Sequence, residues 1–116
     1  MNLNGDHCWH ADATGTLHGA ITRSDSQLLA VALAGEIDLA NAAELALWLT
    51  TLAHETTALS MCIDASAVTF CDVAGVRALL SVQAAAARRD LPCAIGNPSQ
   101  NVERLLRMTG AECLLR

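Results

Sequence analysis

Cys71-Asp72-Val73-Ala74-Gly75-Val76 sets a thiol, a carboxylate and a glycine at what reads as the junction of a strand and a helix. A helix start leaves backbone N–H groups unpaired at the positive end of the macrodipole, so it attracts anions and suits the docking of a partner. A cysteine there gains thiolate character worth about 0.3–1 kcal/mol, and the neighbouring Asp72 carboxylate opposes it by a similar amount. No catalytic nucleophile is expected. Val73 has no hydroxyl, thiol or charge, so the junction reads as a recognition surface. His7, Cys8 and His10 are metal-capable, but they lie in a polar stretch with no further ligand at fixed spacing, and no metal site is expected. The chain shows no Gly-rich phosphate loop, no supported Ser-His-Asp order and no closely paired helical carboxylates. It is therefore not expected to be an enzyme or to hold a cofactor.

The cysteines Cys8, Cys62, Cys71, Cys93 and Cys113 are odd in number and lack CxxC spacing, which argues against a disulfide framework. Reduced, buried thiols are the simplest expectation. Cys71 and Cys113 are redox candidates if folding brings either within about 7 Å of another cysteine, measured between Cα atoms.

The elements that must position these residues follow from the apolar pattern. A chain of 116 residues, 53% hydrophobic, fits one compact domain with a true core. Its apolar runs are too short to span a bilayer, and no secretory signal is visible, so a cytoplasmic protein is expected. Net charge is −5 and the basic residues form no stripe, which argues against nucleic acid. Residues 1–14 read as a loose lead-in and 15–116 as the domain. Thr16–Thr22 is expected as an edge strand, with turn residues at Arg23–Ser26. Leu28–Ala34, closed by Gly35, reads as a buried strand. Asn41 and Glu44 suggest a capping box for a helix reaching about His54 with Leu45, Trp48, Leu49 and Leu52 inward.

Leu59–Asp64 is expected as the next strand. The second helix, starting after Asp72, sets Val76, Leu79, Leu80 and Ala87 on one face and Arg77, Ser81 and Arg88 on another. Leu91–Ile95 reads as a further strand. Asn97 and Pro98 then suggest a helix start with Gln100 at the capping-box position. Val102, Leu105, Leu106 and Met108 form that helix's apolar side, and Gly110 ends it. Ala111–Leu115 is expected as a short last strand. Alternating strands and helices imply an α/β domain with a largely parallel sheet.

Gly35-Glu36-Ile37-Asp38, Ile63-Asp64-Ala65-Ser66, Val68 to Val76, Asn97-Pro98-Ser99 and Leu105 to Gly110 occur in an order that resembles the STAS domain family, above all its freestanding bacterial anti-sigma factor antagonists. The resemblance spans about Leu28 to Leu115. It implies a four- or five-stranded, largely parallel or mixed sheet with three to four helices against it. It also implies a partner, an anti-sigma factor of serine-kinase-like ATPase fold, whose capture frees a sigma factor. In that family the kinase phosphorylates a serine directly after the aspartate that opens the second helix. Here the aspartate is Asp72 and the serine position holds Val73; Ala74 offers no hydroxyl either. The resemblance puts partner contacts at Asp38, Asn41, Asp72, Val73, Ala74, Gly75, Val76 and Arg77. Two rivals keep the binding role: an accessory subunit of a membrane lipid transporter, and a binding module controlled by thiol redox. The sequence does not set the oligomeric state.

Overall fold

The computed structural model describes residues 8–10 and 15–115. In chain order the elements are β1 (Cys8–His10), β2 (Leu17–Ser24), β3 (Leu28–Ile37), α1 (Ala42–Glu55), β4 (Ser60–Cys71), α2 (Val73–Ala87), β5 (Cys93–Gly96) and α3 (Gln100–Met108), followed by a 3-10 turn at Glu112–Leu114. Among the described residues the five strands form one sheet in the order β1-β2-β3-β4-β5. The β1–β2 and β2–β3 pairs are antiparallel; β3–β4 and β4–β5 are parallel. The α/β expectation holds, and the sheet is evenly mixed because a tight turn joins β2 to β3 whereas helices carry the later crossovers.

Strand alternation builds the core. Leu29, Val31 and Leu33 of β3 are buried with Met61 and Ile63 of β4, Ile95 of β5 and Leu17 of β2. Leu45, Leu49 and Leu52 of α1, with Val76, Leu79 and Val82 of α2, belong to the same cluster. Both βαβ crossovers advance in the same direction, so right-handed connections put α1 and α2 on one face. The opposite face carries the half-buried Ala30, Ala32 and Ala34.

Several elements differ from the sequence expectations. Residues 8–10 form a strand where a loose lead-in was expected; residues 1–7 and 11–14 lie outside the described residues. β2 is not an edge, since β1 covers its outer side. Gly35 does not close β3: at φ 112 it forms an irregularity inside the strand, and a Cβ there would sit 1.9 Å from the Thr16 carbonyl oxygen. β4 runs past Asp64 to Cys71, because a register shift absorbs the polar interruption and Asp64 Oδ1 accepts the Ser66 N–H at 2.9 Å. β5 starts at Cys93 because the Leu91 N–H is bonded to the Ala86 carbonyl and Pro92 has none to give. Ser99, not Asn97, caps α3: its Oγ accepts the Val102 N–H while Asn97 takes φ 48. Gln100 is thus the first helical residue, and the expected capping box does not form.

Met108 and Ala87 lie outward and Leu80 is half-buried, while Arg77, Ser81 and Arg88 are exposed as expected. Ala111–Leu115 is not a strand; the 3-10 turn occupies it, and Leu115 alone bridges Ile95. Gln83 ties this corner together, its Nε2 donating to the carbonyls of Cys93 at 3.0 Å and Cys113 at 2.9 Å.

Candidate functional site

The carboxyl ends of β3 and β4 lie side by side, with Glu36 opposite Phe70 and Ile37 opposite Cys71. Each strand then turns into its helix, so residues 38–41 and 72–77 share one edge. The Asp72 N–H donates to the Ile37 carbonyl at 3.1 Å and locks the two loops together. Asp72 is the N-cap of α2, its Oδ1 accepting the Gly75 N–H at 3.0 Å. Capping by aspartate contributes about 1 kcal/mol here, as expected from the sequence.

Asn41 departs from expectation. It occupies the N-cap position of α1 but makes no side-chain bond to the helix. It is fully buried instead, accepting the Asp38 N–H at 3.0 Å and donating to the Glu36 carbonyl at 2.9 Å. Asp38 Oδ1 in turn accepts the Ala40 N–H. These bonds fix the loop and turn Leu39 outward, 81% exposed. Gly75 is buried because a Cβ there would meet Cys71 Sγ and Ile37 Cγ2, each at 2.7 Å. Val76 is buried beside it. Asn41, Gly75 and Val76 therefore shape the edge from inside.

The outward side chains are Val73 at 50% and Phe70 at 48% exposure, with Leu39 and the exposed Arg77; Asp38, Asp72 and Ala74 are half-buried. The edge is thus an apolar patch flanked by two aspartates and an arginine. Leu39 and Phe70 escaped the sequence reading. Their signal was a large apolar residue in a loop, and another where β4 leaves its buried register.

Burial, with a smaller push from Asp72, raises the Cys71 thiol to about 11. Desolvation, absent from the sequence argument, outweighs the dipole. None of Cys62, Cys71, Cys93 and Cys113 is in a disulfide. Among the residues whose side chains are described, no three-ligand metal cluster occurs. A cavity of about 850 Å³ lies away from this edge, near the amino ends of β3 and β4, lined chiefly by apolar groups such as Leu28, Leu80 and Leu91.

The family model described as "Mlab, STAS domain" matches residues 20–116. The chain belongs to the STAS family. No curated protein sequence matches it. This STAS domain is similar in fold to the anti-sigma factor antagonist SpoIIAA in its unphosphorylated form, with a TM-score of 0.71, 15% identity, and coverage of 84% of this chain and 85% of that one. It is also similar to an anti-sigma factor antagonist from Mycobacterium paratuberculosis, with a TM-score of 0.69, 19% identity, and coverage of 92% and 87%. The murine anion transporter Slc26a9 contains a similar fold: TM-score 0.67 and 17% identity over 78% of this STAS domain and 15% of the transporter. No helix among the described residues is long and apolar enough to cross a membrane.

Proposed function

We propose that this STAS domain is a non-catalytic binding module of the anti-sigma factor antagonist kind. It captures an anti-sigma factor of serine-kinase-like ATPase fold in the cytoplasm and thereby releases a sigma factor. The observation that carries this reading is Val73, half-exposed as the first residue of α2 and directly after its aspartate cap. Apolar residues at an exposed helix start suit the core of an interface, where charged groups are depleted. The contacts fall to Asp38, Asp72, Val73, Ala74 and Arg77, with Leu39 and Phe70 beside them. A phosphoryl group at this position would bring a charge of about −1.5 to −2 next to Asp72 and repel a partner fitted to the neutral form. With valine there, the surface stays in its binding-competent form.

The test is affinity capture with the reduced protein and with V73D and V73S. Recovery of a kinase-like anti-sigma factor, lost by at least about ten-fold with V73D, supports the reading. V73S alone should then accept phosphate from that partner and ATP. Phosphate appearing on the unaltered protein at Ser66, Thr69 or Ser99 would end the idea of a locked surface.

A second reading, an accessory subunit of a membrane lipid transporter, is favoured by the description of the matching family model. It predicts recovery of transporter ATPase subunits at the same edge. The redox reading draws on free Cys71 and Cys113, but a thiol raised to about 11 at Cys71 is poorly suited to exchange at neutral pH.

A further inference from the structure

The cavity near the amino ends of β3 and β4 takes one wall from α2. Leu80, Gln83, Ala84 and Ala87 recur at helical spacing and line it together with Leu28 and Leu91. About 850 Å³, mostly apolar with a few polar groups, is the size and make-up of a small-molecule site. Its polar side chains have little hydrogen-bond donation left for a ligand. Gln83 spends both amide hydrogens on the carbonyls of Cys93 and Cys113, and Ser60 Oγ donates to the Gln27 carbonyl at 3.4 Å. Burial, with a smaller push from Cys62, raises the Cys93 thiol to about 11, so it stays uncharged.

Asp90 is the one charged residue among those described in the lining, and its position runs against local preference. It follows α2 at φ 58, in the left-handed region that glycine commonly fills at a helix end. Its N–H donates to the Ala87 carbonyl at 3.0 Å, and the Leu91 N–H donates to the Ala86 carbonyl at 3.0 Å, which fixes that conformation. A carboxylate there also meets the negative end of the helix dipole. Among the described residues no cation pairs with it; Arg89 turns instead to the Ala53 carbonyl, and Arg88 is exposed. Backbone and dipole both disfavour the acid, and no contact among the described residues offsets them.

We propose that this cavity binds an amphiphilic organic monocation, its apolar body against Leu80, Ala84 and Leu91 and its protonated amine at Asp90. Helix end and carboxylate then act together, since both attract a cation. The apolar walls strengthen that attraction by excluding water. An anion of the same shape is rejected by the same two fields.

Naphthylmethylamine, naphthylmethanol and naphthoate share one ring system and differ in charge, so together they test this. Each is titrated into the full, reduced chain and followed by amide chemical-shift mapping, which also shows that every variant is folded. The expected shifts gather at Leu80, Ala84, Ala87 and Leu91. The amine should bind about three- to five-fold tighter than the alcohol, with the carboxylate weakest, and salt should narrow the gap. D90N keeps a residue type that tolerates the left-handed backbone. It should bring amine and alcohol to equal affinity without changing the alcohol. A84F fills the cavity from an exposed helix position and should weaken both at least about ten-fold. V73D should change neither. Shifts absent from the cavity, or a carboxylate bound as tightly as the amine, overturn the proposal. An amine preference that survives D90N, binding that survives A84F, or binding lost with V73D overturns it equally.

Discussion

Asp25 shows how much one turn residue can be shifted by neighbours without burial. Its carboxylate takes a bond from Arg23 Nε at 2.6 Å and from the N–H groups of Leu28 at 2.9 Å and Gln27 at 2.8 Å. The guanidinium first, then those two amides, hold the carboxyl down at about 2 from its ordinary 3.8. The folded-state value is the lower one, so this group stabilises the native state above the ordinary carboxylate range. That contribution fades as pH falls from about 4 towards 2. An NMR titration of the Asp25 side-chain carbonyl should have its midpoint near 2, and R23A should move it upward. A midpoint near 4 in the unaltered protein would contradict the geometry. The same residue-by-residue view explains Cys71. Sequence shows the aspartate beside it and the helix after it, but only packing shows the sulfur half-buried against the backbone of Gly75.

At the scale of elements, the joint between β3 and α1 depends on one buried side chain. Asn41→Ala would leave the Asp38 N–H and the Glu36 carbonyl without their partners. The expected loss is about 2–4 kcal/mol, read as a lower urea midpoint with an unchanged slope. An unchanged midpoint would show that water replaces the amide at no penalty. The sequence made the helices legible and their joints much less so. Leu45, Leu49 and Leu52 announce α1 because a helix with one buried stripe must repeat them at that spacing. Asp72 announces α2 because a cap is local chemistry. Asn41 looks like the same signal, yet its amide is used by the preceding loop, a choice only tertiary structure reveals. β4 was expected only as far as Asp64; the Asp64–Ser66 bond is instead folded into an irregularity within a continuing strand. The chain after Gly110 has strand-like composition but forms a 3-10 turn, since Leu115 alone reaches β5.

At the scale of the molecule, we propose that residues 15–116 are the folding unit and β1 an added strap. We expect the 15–116 fragment to keep its helical circular dichroism and lose about 1–3 kcal/mol of stability, because the Trp9 ring and its burial against Trp48 go. Trp48 emission should shift to the red. A fragment that fails to fold would make β1 integral to the domain. The edge proposed as the site was legible as an edge because two strands end and two helices begin there. Its apolar character was not, since exposure depends on the whole edge. Gln83 carries one further consequence. Its amide joins α2 to Cys93 and Cys113, the latter 30 positions downstream. During synthesis β3, α1, β4 and α2 can assemble while that amide still lacks both acceptors. The α2–β5 corner closes only after Cys113 has cleared the ribosome, so a stalled nascent chain should be protease-sensitive there while its β3–β4 half is already protected.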